Sequence, residues 1–171
     1  MDRIYNEHYA LIFKYILYLT ADKELTHDLL QETFYRFYKN TRQVQQEKAL
    51  LVKIARNLVY DYFRKKRLLS FIPYQKDTRI DDKPLPEEIV ERGEEIVALY
   101  KALQQIKLSY RETIVLRYIE EFSVKEVATA LNCSEIQVKN NTARGLKALR
   151  ALLEGGESGG KTATRTFQHS D

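Results

Sequence analysis

Apolar residues recur every three or four positions along most of this chain, and that spacing restricts its fold more than any other feature. The pattern appears in "RIYNEHYALIFKYILYL" at residues 3–19 and again in "KELTHDLLQETFYRFYKN" at residues 23–40. A third helix is predicted over about residues 47–67, and the periodicity returns in "EEIVALYKALQQI" from residue 94. A helix buries one face every 3.6 residues, whereas a strand buries alternate residues. No long alternating pattern occurs in the sequence, which therefore predicts an all-α fold.

A proline-rich and acidic stretch interrupts the helical pattern. All three prolines lie in "FIPYQKDTRIDDKPLPEEIVERG", so residues 68–93 are predicted to be a flexible acidic linker. The linker separates two small helical domains, residues 1–67 and residues 94–153. Residues 154–171 are almost free of apolar side chains and are predicted to be a disordered tail.

Charge is distributed in blocks. Residues 40–67 carry eight cations against two anions, and residues 99–153 carry nine against five. Between them, residues 68–98 carry eight anions against four cations. Two basic blocks separated by an acidic one indicate two contact surfaces for a polyanion. With a single cysteine and no apolar run near the roughly 18 residues of a membrane helix, we expect a cytoplasmic protein without membrane insertion.

The segment "SVKEVATALNCSEIQVKNNTARGLKALR" at residues 123–150 is typical of a helix-turn-helix. Ser123 and Glu126 form a capping box for the first helix, Asn132 suits the left-handed turn, and Ser134 caps the second helix. The second helix would present side chains that read base edges and grip phosphate: Gln137, Lys139, Asn140, Asn141 and Arg144. The alternative is an ordinary helical hairpin with a solvated polar face.

The order of these motifs resembles a family. "DLLQETFYRFY", then "IARNLVYDYFRKKR", the acidic linker and the helix-turn-helix are similar to the small extracytoplasmic-function (ECF) sigma factors of the sigma-70 superfamily. The resemblance covers about residues 4–153. It implies a stress-response subunit that binds core RNA polymerase and directs promoter-specific transcription initiation. The implied partners are the β′ clamp helices and β subunit of core polymerase, promoter DNA (double-stranded upstream, opened downstream) and an anti-sigma factor, and the free protein would be a monomer.

The resemblance also implies roles for residues. It assigns the binding of core polymerase to a polar stripe of the second helix: Asp28, Gln31, Glu32 and Tyr35. It assigns contact with the −10 promoter element to a face of the third helix: Lys53, Arg56, Asn57, Tyr60, Asp61, Arg64 and Lys65. An extruded base would be read by the loop at residues 40–49. The helix-turn-helix residues would read the −35 element, although Asn141 stands where relatives commonly have arginine.

Several alternatives stay open at the level of sequence. Either polar face could be merely solvated, Phe63 could belong to the core or to the DNA surface, and Asp61 could orient Arg64 or Arg56 instead of touching DNA. A stand-alone helix-turn-helix regulator and a helical adaptor without DNA binding are the rival functions.

Catalytic motifs are missing from the sequence. The histidines and Cys133 lack metal-ligand spacing, and no Gly-rich phosphate loop or nucleophile elbow occurs. We therefore expect no enzyme activity, cofactor, metal or small-molecule substrate. Cys133, at the tight turn, is predicted to be a small apolar residue rather than a redox sensor.

Overall fold

The computed structural model describes residues 2–40, 45–70 and 85–156. Predictions for residues 41–44 of the base-reading loop, for linker residues 71–84 and for tail residues 157–171 lie outside the described residues. The helices are α1 (Asp2–Thr20), α2 (Lys23–Asn40), α3 (Glu47–Ser70), α4 (Glu87–Val90), α5 (Glu94–Gln105), α6 (Leu108–Ile114), α7 (Val124–Leu131) and α8 (Glu135–Gly156). A π-helical turn, Val115–Ile119, continues α6. Across these described ranges there is no strand, so the all-α prediction is confirmed.

Helices α1, α2 and α3 pack against one another and form the N-terminal part of the core. The predicted apolar stripe of α2, consisting of Leu30, Phe34 and Phe37, is buried. Asp22 caps α2 as predicted, because its Oδ1 accepts a hydrogen bond from the Leu25 backbone N–H at 3.1 Å. This bundle leaves the polar faces of α2 and α3 directed away from its core.

Helices α5 to α8 form the C-terminal part of the core, and α6 and α8 cross closely within it. The crossing depends on Gly145 of α8, where an added Cβ would lie 2.6 Å from Ile114 Cδ1. Val127 and Val138 are fully buried, and Leu131 is buried between the same helices. The apolar contacts predicted for the helix-turn-helix are therefore present.

Three predicted boundaries differ from the structure. Helix α3 ends at Ser70 instead of about residue 67, since no helix breaker follows the basic run before Pro73. Helix α4 lies within the predicted linker, where Ile89 is buried in the core. Helix α8 continues to Gly156, past the predicted start of the tail. In each case helical structure extends beyond the limit that composition indicated.

Arg111 of α6 joins the two halves of the protein. It is buried, and its guanidinium donates hydrogen bonds to backbone carbonyls near the end of α5 and to the Leu19 carbonyl of α1 at 2.6 Å. Burial lowers the pKa of Arg111 to about 10, so the side chain stays protonated at neutral pH. A single buried cation therefore satisfies carbonyls that helix ends leave without intrahelical partners.

Candidate nucleic-acid and polymerase interfaces

The predicted polymerase-binding residues lie together on the outer face of α2. Asp28, Gln31 and Tyr35 are exposed, with Tyr35 at 59%, and their spacing of three and four places them on one helix face. Glu32 is half-exposed and accepts a hydrogen bond from Arg36 Nε at 2.6 Å. We call Asp28, Gln31, Glu32 and Tyr35 the α2 stripe. Carboxylates beside an amide and a phenol suit a partner surface that is rich in arginine.

Four of the predicted −10 residues are exposed along α3: Lys53, Asn57, Arg64 and Lys65. Arg64 Nη2 donates a hydrogen bond to Asp61 Oδ1 at 2.8 Å, a contact that favours the interpretation in which Asp61 orients Arg64. Phe63 is partly buried against the core, which favours the packing interpretation for that ring. We call the seven predicted −10 residues, from Lys53 to Lys65, the α3 face.

The other two −10 residues with long side chains are held by a carboxylate from the C-terminal half. Arg56 Nε and Nη2 donate to Glu112 Oε2 and Oε1 at 2.9 and 3.3 Å, and the Tyr60 hydroxyl donates to Glu112 Oε1 at 2.9 Å. The Arg56 guanidinium carbon also lies 4.3 Å from the centre of the Tyr60 ring. Glu112 belongs to α6 and is only 2% exposed. Both side chains therefore donate hydrogen bonds to the same carboxylate of α6.

Electrostatics in this cluster follow from burial. Burial raises the pKa of Glu112, and the charge and hydrogen bonds of Arg56 act against that rise. Burial, followed by the nearby Glu112 carboxylate, also raises the pKa of the Tyr60 hydroxyl, which stays protonated and able to donate. For Arg56, desolvation is the largest influence and lowers the pKa, but the charge and hydrogen bonds of Glu112 together with the nearby Tyr60 and Tyr15 outweigh it, and the net shift is upward. The cluster is thus a cation and a hydroxyl that share one buried carboxylate.

The helix-turn-helix has the predicted caps. Ser123 N donates to Glu126 Oε2 at 2.8 Å, and Glu126 N donates to Ser123 Oγ at 3.2 Å, which completes the capping box. Asn132 has φ 51° and ψ 52°, the left-handed conformation predicted for the turn. Ser134 Oγ accepts from Gln137 N at 3.1 Å and so caps α8. Local sequence signals therefore fix the start of the second helix.

The predicted −35 residues lie on the N-terminal half of α8. Gln137, Lys139, Asn140 and Arg144 are exposed, and Asn141 is half-buried. Gln137, Asn140, Asn141 and Arg144 are spaced by three, four and seven residues and share one face. We call these four residues, together with the neighbouring exposed Lys139, the α8 face. Amide and guanidinium groups on the exposed first turns of such a helix can hydrogen-bond to base edges in a major groove.

Sequence reasoning missed two residues at these surfaces. Glu112 was missed because its partner is 56 positions away in sequence, and no local pattern reports such a pair. Ile136 was missed although it lies at the second position of α8 and is 72% exposed. A signal for Ile136 existed: it is a large apolar residue outside the register of the buried Val138.

The structure also groups side chains that sequence spacing did not relate. Ligand atoms of Glu7, His8 and Glu47 lie within 4.8 Å of one another. Arg3 already pairs with both carboxylates, at 2.8 and 2.9 Å, so the group is an ion-pair cluster. Cys133 is half-buried, and burial raises the pKa of its thiol, which fits a packing role. Among the described helices, none is long and apolar enough to cross a membrane.

Comparison with known proteins finds a matching family model for each half of the chain. The family models for sigma-70 region 2 and sigma-70 region 4 match residues 4–68 and 96–149. The ECF RNA polymerase sigma factor SigX of Bacillus subtilis is 34% identical over 88% of this chain and 82% of its own length. SigM of the same organism is 30% identical over 91% of this chain and 96% of its own length.

Solved structures share the fold. The sigma factor RpoE in complex with the anti-sigma factor NepR from Bartonella quintana aligns with a TM-score of 0.71 and 21% identity, over 90% of this chain and 98% of that chain. CnrH in complex with the cytosolic domain of CnrY aligns with a TM-score of 0.66 and 20% identity, over 90% and 87%. Together with the two family models and the curated relatives, the fold defines a transcription initiation factor built from two helical regions. The chain belongs to the ECF RNA polymerase sigma factors of the sigma-70 family.

Proposed function

We propose that this sigma factor binds core RNA polymerase through the α2 stripe and reads the promoter through the α3 and α8 faces. One observation supports the proposal most: a single chain carries two separate exposed helix faces with cations, the α3 and α8 faces, and a third face with carboxylates, the α2 stripe. A stand-alone regulator needs the α8 face only, and an adaptor without DNA binding needs neither basic face.

The α2 stripe is assigned to the clamp helices of the β′ subunit. Asp28, Gln31 and Tyr35 point out of the bundle, so a partner helix can reach them without unfolding the core. Replacing Asp28 and Glu32 together by lysine should abolish pull-down of core polymerase while helical circular dichroism stays unchanged. The matched control is Glu91→Lys with Glu95→Lys, an equal charge change at two exposed residues elsewhere. Capture of core enzyme by the α2 double variant would contradict the assignment.

The α8 face is assigned to the −35 element as duplex. Losing one base contact in the groove costs about 1–3 kcal/mol, so Asn141→Ala should relax sequence preference at the upstream element only. Arg144→Ala should weaken the same element on linear and pre-melted templates alike. Arg150→Ala, an exposed change two turns further along α8, is the matched control. Altered preference at the −10 bases in either α8 variant would contradict the division.

The α3 face is assigned to the −10 element as an opened strand, with cations on the backbone and aromatic stacking on bases. Arg64 and Lys65 are exposed near the end of the face, where phosphate contacts are the natural role. Replacing both by alanine should weaken binding to all promoters and reduce the salt dependence by about two counterions. A selective loss at certain promoters, with an unchanged salt slope, would argue for base reading instead.

Regulation is proposed to come from a bound anti-sigma factor. Two structures that share this fold are complexes of sigma factors with such inhibitors. We expect the chain to act in the cytoplasm, to be monomeric when free, and to be sequestered there in uninduced cells. Purification of tagged protein from its native uninduced cells should recover a stoichiometric partner, and recovery of the chain alone would oppose this part of the proposal.

A further inference from the structure

The most exposed large apolar side chain among the described residues is that of Ile136, at 72%. It is the second residue of α8, the second helix of the helix-turn-helix. The core residue of the same turn is Val138, which is fully buried. Residues two positions apart point to nearly opposite sides of a helix, so Ile136 faces away from the core. Folding of this domain therefore gains almost nothing from an isoleucine at this position.

The start of α8 does not depend on Ile136 either. The cap is formed by Ser134 Oγ, which accepts a hydrogen bond from Gln137 N at 3.1 Å. In an exposed helical position isoleucine is less favourable than alanine, because its branched side chain loses χ1 freedom. Any contribution of Ile136 therefore comes from what the outer side of α8 contacts.

The side chains around Ile136 are polar. Glu135 and Gln137 are exposed next to it, and Lys139 and Asn140 are exposed one turn later on the same side of α8. A surface that docks another protein needs a contiguous apolar patch, and one isoleucine among these polar residues does not provide it. One apolar group among amides and a cation suits the edges of base pairs in the major groove, which also mix polar groups with single methyl groups.

The outer side of α8 continues with a small residue. Ala143 is exposed two turns after Ile136 and three positions after Asn140. A small side chain at this point lets the helix approach DNA closely, so that the longer side chains of the first turns reach the bases. The N-terminal residues of a recognition helix are those that contact base edges. Ile136 lies at that end of α8.

Thymine is the base that an apolar side chain can recognise in the major groove. Its C5 methyl is the only methyl group that the four unmodified bases present there, and apolar side chains contact it. Cytosine would present its N4 amino group beside Ile136 instead, and isoleucine cannot accept a hydrogen bond from that group. The side chain at position 136 therefore favours thymine by contact and disfavours cytosine by leaving a polar group without a partner.

Resting on the proposed function, we propose that Ile136 is a specificity residue of the −35 interface and contacts the C5 methyl of one thymine in that element. The amides and cations of the α8 face hydrogen-bond to neighbouring bases and phosphates. Ile136 adds the apolar contact that selects thymine at one position. The −35 element accordingly contains at least one A·T pair within reach of the first turn of α8.

The first test uses holoenzyme assembled with wild-type protein and a promoter identified by start-site mapping. Each upstream thymine, on either strand, is replaced in turn by deoxyuridine, which removes the methyl group and keeps the base pairing. Wild type should lose about fourfold in affinity at one position, the value of one buried methyl. Equal affinity for the unmodified promoter and every deoxyuridine promoter would overturn the proposal, as would an upstream element without an A·T pair.

The second test connects the methyl group to the side chain. Ile136→Ala holoenzyme should bind the thymine and deoxyuridine promoters equally at the responsive position, and Ile136→Val should give an intermediate ratio, because it retains part of the apolar surface. The matched control is Leu153→Ala, which shortens an exposed apolar side chain of α8 outside the α8 face and should keep the fourfold ratio. A fourfold loss in Ile136→Ala, as in wild type, would overturn the proposal.

Two further readouts distinguish this proposal from a structural role and from the proposed function. Ile136→Ala should melt at the temperature of wild type or above it, since alanine favours the helix; a lower melting temperature would indicate a packing role and count against the proposal. Holoenzyme that recognises its promoter without any response to deoxyuridine would overturn the role of Ile136 and leave the proposed function standing. Holoenzyme that does not distinguish promoter from random DNA would overturn the proposed function itself.

Discussion

Arg111 allows a quantitative prediction about stability. Its five hydrogen bonds reach four backbone carbonyls, of Leu19, Leu103, Gln104 and Ile106, and the Gln104 side chain. Arg111→Met keeps the length of the side chain and removes every donor. At about 1–3 kcal/mol for each buried carbonyl left without a partner, the gross loss is about 4–12 kcal/mol.

Relief of desolvation offsets part of that loss. The lowering of the pKa of Arg111 to about 10 by burial corresponds to about 3 kcal/mol of desolvation cost, which the variant no longer bears. Subtracting this relief leaves about 1–9 kcal/mol, and water reaching some carbonyls lowers the upper end, so we expect a net destabilisation of about 1–5 kcal/mol. Urea unfolding followed by helical ellipticity measures it. Arg150→Met, at an exposed position, should stay within about 0.5 kcal/mol of wild type. An Arg111→Met variant as stable as wild type or more stable would refute the reasoning.

Three further changes test packing, capping and charge. Gly145→Ala should destabilise by about 1–3 kcal/mol because its Cβ would overlap Ile114, whereas Gly155→Ala, with nothing within 4 Å, should be neutral or stabilising in thermal melts. Equal melting shifts would contradict this. Glu126→Ala should cost about 0.5–2 kcal/mol in urea unfolding and Glu126→Gln much less, since glutamine can complete the capping box; equal losses would oppose it. Burial raises the pKa of Glu112 above 4.5, so the folded state binds the proton more tightly than the unfolded chain. The stabilisation that comes from this bound proton is therefore full below pH 4.5 and is lost as pH rises through the folded-state pKa of Glu112. Because Glu112→Gln cannot titrate, its unfolding free energy should change less with pH over that window. Identical pH profiles for wild type and the variant would contradict this sign.

Local signals in the sequence were enough to predict much of the fold and the exposure of most residues of the proposed faces. The limits of α2, from Lys23 to Asn40, follow from the Asp22 cap and the apolar stripe. The helix-turn-helix follows from caps at Ser123 and Ser134 that act within one turn of the chain. Faces of long helices could also be predicted, because spacing alone places their residues together.

The features that the sequence did not predict depend on tertiary contacts. Helix α4 has four residues and forms where Ile89 is anchored in the core, which composition cannot indicate. The pairing of Arg56 and Tyr60 with Glu112 joins elements more than 50 positions apart. Sequence patterns relate residues that are close along the chain, whereas the residues of this contact are close only in the folded structure. The sequence therefore predicted the three faces but not the partial coverage of the α3 face.

Transcription by a reconstituted holoenzyme tests the central claim most directly. Core RNA polymerase would be combined with wild-type protein or with the Asp28→Lys, Glu32→Lys variant, and start sites would be mapped on genomic DNA. With wild type, we predict new start sites that share an upstream and a downstream element and that are missing with core enzyme alone and with the variant. Start sites identical to those of core enzyme alone, or tight sequence-specific duplex binding by the free chain without polymerase, would contradict the account.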